Sequence, residues 1–122
     1  MSEPADGIRK MSQATAEHYT WGDGCDGWHL VRRPELAVIS ERMPPGTAEV
    51  RHFHSAARQF FFVHSGWAVL ETAGTEFRLE AREGLEVGPG TPHQLFNRSS
   101  AAVEFLVISQ PHSHGDRTVV SE

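Results

Sequence analysis

Between Gly46 and Gly66 the chain reads GTAEVRHFHSAARQFFFVHSG, which places His52, His54 and Gln59 within eight residues of otherwise strand-like sequence. Side chains two apart on an extended strand share a face, about 6.6–6.8 Å apart, so the two imidazoles can lean toward one cation. Ser55-Ala56-Ala57-Arg58 has the length of a turn, and a strand running back antiparallel from it brings Gln59 to the same point. His93, just after Gly88-Pro89-Gly90-Thr91-Pro92, is the natural fourth donor from a neighbouring strand. An amide oxygen carries no charge, so three imidazoles plus Gln59 leave a dication uncompensated. Water or substrate at the open positions then feels a stronger Lewis acid, and an anionic chelator such as an enolate, hydroxyacid or uronate supplies the missing charge. Neutral donors also stabilise a ferric ion less than carboxylate does, which favours Lewis-acid over redox chemistry. Such a divalent metal site suits Zn, Ni, Fe, Mn or Cu, and affinity order does not choose among them.

The elements that must hold these residues read as short strands. Candidates fall at Trp28–Val31, Leu36–Met43, Ala48–His54, Gln59–His64, Trp67–Ala73, Thr75–Leu79, Leu85–Val87, His93–Asn97 and Val103–Ile108. No stretch keeps a helical period over three turns. Pro44-Pro45-Gly46 is a turn, Ser65-Gly66 and Ala73-Gly74 read as hairpin connections, and Gly88-Pro89-Gly90 breaks the chain sharply before His93. Many short strands at even spacing predict an all-β sandwich or closed barrel. Residues 1–17, polar and without period, read as a flexible N-terminal arm, 18–110 as the barrel and 111–122 as a polar C-terminal tail.

Gly46–x5–His52–x–His54–x4–Gln59–x6–Gly66 resembles the first motif of the cupin superfamily, with Gln59 where the family carries glutamate. Gly88-Pro89-Gly90-Thr91-Pro92-His93-Gln94-Leu95-Phe96-Asn97 resembles its second motif; Gly88 replaces the initial proline and Arg82 falls on the upstream glycine. The resemblance implies a cupin-type jelly-roll β-barrel with the metal inside it, held by His52, His54, Gln59 and His93. Because the H-x-H-x4-Q variant is similar to monocupins of polyketide cyclisation and of uronate ketonisation, it further implies isomerisation or cyclisation of an enolisable substrate. A non-haem iron dioxygenase and a non-catalytic binding or sensing module remain the competing readings. The resemblance also implies a homodimer, and exposed strand edges are a physical reason to pair.

Alternation puts Phe61 and Val63 on the face of Gln59, making them candidate pocket walls, with Trp28 and Met43 among the large apolar groups available. Arg58 and Gln94 flank ligands and are further candidates for substrate contact, against an external hydrogen bond for each. Glu41, Glu71 and Glu104 lie on strands with nothing to aim them at the metal. Cys25, the only cysteine, permits no internal disulfide and is expected at a subunit contact or the cavity mouth. The second H-x-H, His112 and His114, is expected to be an exposed polar end, with folding over a barrel mouth or adventitious metal binding as the alternatives. A formal charge of −5 with no basic stripe argues against nucleic acid. No apolar run is long enough for a membrane span or a secretory leader, which predicts a cytoplasmic protein acting on a small molecule.

Overall fold

The computed structural model describes residues 7–120, so the start of the expected N-terminal arm and the last two residues of the tail lie outside it. Among the described residues there is no α-helix, and eleven strands form the fold. They are β1 Glu17–Trp21, β2 Cys25–Arg33, β3 Leu36–Met43, β4 His52–Phe53, β5 Arg58–Ser65 and β6 Ala68–Thr72. β7 Thr75–Leu79, β8 Gly84–Val87, β9 His93–Phe96, β10 Val103–Gln110 and β11 Thr118–Val119 follow. A six-stranded sheet, ordered β1-β2-β3-β10-β5-β8, faces a five-stranded one, ordered β11-β4-β9-β6-β7, and every pairing is antiparallel. This is the jelly-roll arrangement.

Alternation along the strands builds the core. In β5, Gln59, Phe61 and Val63 are buried while Phe60 is 38 % exposed, and in β10 every second residue from Val103 to Ser109 is buried. These inward residues meet Leu70, Leu79 and Leu95 from the other sheet, so two apolar faces close on each other.

Two connections differ from expectation. Ser55–Arg58 does not make a hairpin: β4 and β5 belong to different sheets, and β4 instead pairs with β9 and β11. Gln59 therefore reaches the histidines from across the barrel rather than from the adjacent strand. The Ser65–Gly66 corner likewise changes sheet, turning so tightly that a Cβ on Gly66 (φ 83°) would lie 2.8 Å from the Ala102 carbonyl oxygen. Ala73–Gly74 is a hairpin turn as expected, with positive φ at both residues and Thr72 facing Thr75.

The strand expected over Ala48–His54 is cut short to β4. Glu49 breaks it, since its side-chain Oε1 accepts the Leu95 N–H at 3.0 Å while Gln94 Nε2 donates to the Glu49 carbonyl at 2.9 Å. Side-chain bonds there replace part of the ladder, while the Glu49 N–H still donates to the Leu95 carbonyl at 3.0 Å and Ala48 bridges Phe96. Described residues of the arm and of the tail touch the barrel. Gln13 Nε2 donates to Ser40 Oγ at 3.2 Å, and β11 adds to the edge of β4.

Candidate metal centre

His52 and His93 are Cα partners on neighbouring strands β4 and β9, and His54 lies just past the end of β4. Their ring centroids are 4.5 Å apart for His52–His93, 4.9 Å for His52–His54 and 5.9 Å for His54–His93. One ring nitrogen from each lies within 4.8 Å of the others, and all three residues are buried. Gly90 N–H donates to the His54 carbonyl at 2.7 Å, which ties the loop before His93 to the His54 end of the site.

Hydrogen bonding fixes what each ring presents. His52 Nδ1 lies 2.6 Å from the Val50 carbonyl, His54 Nδ1 2.6 Å from that of Asp116, and His93 Nδ1 3.0 Å from that of Thr91. A carbonyl only accepts, so each Nδ1 carries the proton and each Nε2 keeps its lone pair. Burial, the largest cause, lowers all three pKa values, that of His52 to about 4, so the rings are neutral at pH 7. Neutral imidazoles with bared Nε2 atoms are what a metal ion binds.

Gln59 faces this group from β5. Its Nε2 donates to the buried Ser109 Oγ at 3.0 Å, which leaves Oε1 as the free end of the amide. Among the described residues, Gln59 Oε1 and His93 Nε2 are the two buried side-chain polar atoms with no hydrogen-bond partner. Unsatisfied buried acceptors are costly, and both belong to the ligand set read from the sequence. One cation would satisfy both, so the residues fit a divalent metal ion.

His52, His54, Gln59 and Phe61 line a cavity of about 270 Å³. Phe61 alone among the expected pocket residues does so. Val63 and Met43 are buried in the core, 1 % and 0 % exposed. Trp28 pairs with Ser40 and packs its ring on His18 at 5.2 Å, on the outer face of the sheet. Arg58 and Gln94 adjoin inward-facing ligands and so point outward, Arg58 to Glu86 at 2.8 Å and Gln94 to the Glu49 carbonyl.

The cavity is also lined by residues the sequence reading passed over: Tyr19, Glu41, Glu49, Ser113 and Arg117. Glu41, which nothing in the sequence aims at the metal, points inward. It shares the inner face of β3 with Ala37, Ile39 and Met43, and a lone carboxylate on that apolar stripe was the signal to read. Burial pushes the Glu41 carboxyl up to about 7 and that of Glu49 up to about 8, where the nearby Glu41 adds to the rise.

The tail is a strap over the mouth. The Asp116 carboxylate accepts the N–H groups of Ser55, Ala56 and Ala57 at 2.8, 2.8 and 3.0 Å, while its carbonyl holds His54. Three donors hold its pKa below the usual aspartate value. Of the two readings of the tail, the one that folds it over the barrel fits, and it anchors His54. His112 and His114 line a second cavity, of about 630 Å³, which shares Tyr19, Ile39 and Ser113 with the first. Cys25 sits in the core at 0 % exposure, neither at a mouth nor at the surface, and burial raises its thiol pKa.

The family model described as "Cupin domain" matches residues 39–109, and no curated protein matches the sequence. Solved structures share the fold. A sugar phosphate isomerase of the cupin superfamily from Silicibacter pomeroyi is 23 % identical, with a TM-score of 0.75 over 85 % of this chain and 76 % of that one. The polyketide cyclase RemF from Streptomyces resistomycificus is 14 % identical, with a TM-score of 0.79 over 94 % and 87 %. An RmlC-like cupin from Shewanella frigidimarina is 18 % identical, with a TM-score of 0.78 over 86 % and 92 %.

Proposed function

The chain belongs to the cupin domain family, and on that premise we propose that it is a metal-dependent enzyme that isomerises or cyclises a small enolisable or anionic substrate. The carrying observation is the donor set: three neutral imidazoles with bared Nε2 atoms around a neutral amide whose Oε1 has no other partner. His52, His54 and His93 would hold the ion through Nε2, and Gln59 through Oε1. When bound, a divalent ion supplies Lewis-acid polarisation of a substrate carbonyl.

The chain's own residues do the rest. Ser109 keeps the Gln59 amide oxygen turned inward, and the Asp116 carbonyl keeps His54 in its metal-binding tautomer. Phe61, Ile39 and Val107 wall the cavity with apolar surface that limits water. Arg117, on the strap, places a cation in the same wall, complementary to an anionic substrate. The isomerase and the cyclase among the structural neighbours support this class of reaction by fold alone. Iron–oxygen chemistry has less support, because the two-histidine, one-carboxylate set that suits it is not what these four residues provide.

Protein purified without added metal is expected to carry about one divalent ion per chain by elemental mass spectrometry. His54→Ala should lose both the ion and turnover across a panel of enolisable keto acids and hydroxyketones. Turnover that survives complete chelation sinks the reading. A metabolite bound one to one and released unchanged, by mass spectrometry, replaces the enzyme with a binding module.

A further inference from the structure

Tyr19, Gly27 and Glu41 stand in one row across β1, β2 and β3: Tyr19 faces Gly27, and Gly27 faces Glu41. The middle position is empty of side chain, and the tyrosine fills it. A Cβ on Gly27 would lie 2.2 Å from Tyr19 Cζ and 2.5 Å from its Oη, closer than real atoms approach. Gly27 has no left-handed φ, so its backbone does not call for glycine; the overlying ring does. By lying across the middle strand, the ring brings its hydroxyl to donate to Glu41 Oε2 at 2.9 Å. Among the described residues no hydrogen bond reaches Glu41 Oε1. Both side chains line the cavity that holds His52, His54 and Gln59.

We propose that Glu41 is the proton-transfer group of this cavity, with Tyr19 and Gly27 as its positioning residues, and that the substrate carries a C–H bond next to a carbonyl. This rests on the metal-dependent reading above. The Glu41 carboxylate takes the proton from carbon, the C–H pair becomes a C=C bond, and the carbonyl π pair moves to oxygen. In isomerisation of a 2-hydroxycarbonyl compound the hydroxyl proton passes to the enolate oxygen. The oxygen it leaves forms the new C=O with its freed pair, and the C=C pair takes the proton back from the Glu41 acid at the former carbonyl carbon. In ring closure the new carbon nucleophile bonds to a second carbonyl carbon, whose π pair becomes an alkoxide that takes the proton. Either way Glu41 ends as it began, and no oxidant or reductant is needed.

Glu49, the other carboxyl in the cavity, is bound to the Leu95 N–H and bridges the gap in the strand. Glu41 sits among apolar neighbours, and its carboxyl, near neutral by burial, populates both forms that an acid–base group needs. Tyr19 from β1 bonds it, Glu49 from the loop before β4 and Cys25 from β2 feel its charge, and His52, His54 and Arg117 line the same cavity.

The test uses the full chain loaded with Zn(II) and pyruvate as probe, following loss of the methyl proton signal in deuterium oxide by NMR. Wild type should exchange faster than free Zn(II) at equal concentration. Glu41→Gln should slow exchange about 10²-fold or more, with Zn(II) affinity unchanged within about twofold. Tyr19→Phe and Gly27→Ala should move the midpoint of the rate–pH profile upward, because losing the hydroxyl donor destabilises the carboxylate. In metal-free protein, the infrared carboxylic-acid band lost in Glu41→Gln should titrate near neutral pH in wild type and higher in Tyr19→Phe. Exchange no faster than with the free ion, Glu41→Gln exchange within about twofold of wild type, or a profile unmoved in Tyr19→Phe each overturns the proposal. A chain that binds no Zn(II) sinks the metal reading instead. The infrared band then decides the dyad, and a midpoint in the ordinary carboxylate range overturns it.

Discussion

Ser109→Ala separates the structural role of the Gln59 amide from its role toward a metal. Ser109 Oγ is buried, 2 % exposed, and receives the Gln59 Nε2–H at 3.0 Å. Removing it leaves a buried N–H unmade, which costs about 1–3 kcal/mol in either form of the protein. For a chain of this size that lowers the melting temperature of metal-free protein by roughly 3–15 °C. The metal-bound form should lose more. Residues that orient a ligand typically contribute about 10–100-fold to metal affinity, or about 1.4–2.7 kcal/mol. At free zinc one hundred times the wild-type Kd, zinc stabilises wild type by about 2.7 kcal/mol, and Ser109→Ala by only about 0.4–1.4 kcal/mol. Calorimetric melts with and without zinc, together with competition against a chromophoric chelator, measure both quantities. If zinc stabilises wild type and Ser109→Ala equally, the amide oxygen does not face the ion, and the argument from its lone acceptor fails.

Three further outcomes follow from the same geometry. Gln59→Glu brings a charge to the donor set and should raise zinc affinity at pH 7 by at least ~10-fold, read by chelator competition; unchanged affinity places residue 59 outside the set. The Asp116 clamp carries a carboxyl whose pKa is lowered by its three backbone donors. Its contribution is therefore full above the ordinary aspartate pKa and lost as pH falls through the lower folded value. Hydrogen exchange of the Ser55, Ala56 and Ala57 amides should speed up over that acid window, and in Asp116→Asn at every pH. The outer face of the six-stranded sheet stacks Phe60 on Phe62 at 6.2 Å, with Leu106 and Ile108 opposite them. We expect a dimer through this face, with light scattering giving twice 13.6 kDa and Phe60→Asp giving a single chain.

Much of the histidine cluster was legible because its spacing is local. His52 and His54 share a face by alternation alone, and the turn residues around His93 end one strand and start another. Leu36–Met43 and Thr75–Leu79 coincide with β3 and β7, since β-favouring runs between Gly, Pro and charge leave little freedom. What was not legible depends on which sheet a strand joins. A four-residue link between β4 and β5 suits a hairpin as well as a crossing, and only the closure of the barrel decides. Glu49 hid for a related reason: its carboxylate replaces a backbone acceptor, so the strand it interrupts looks continuous in sequence. β11 and Arg117 lie in a polar stretch with no alternation to read, and their place comes from the Asp116 clamp and the pairing of β11 with β4.

The carbonyl that sets the tautomer of His54 lies 62 residues further along the chain. During synthesis from the N-terminus, His52, His54 and later His93 are made before residue 116. A nascent barrel thus offers two correctly posed imidazoles and a third free to turn either nitrogen outward. On the metal-dependent reading, selection of the ion waits until residue 116 has docked against His54, and biogenesis in a metal-poor cell should yield folded protein that loads late.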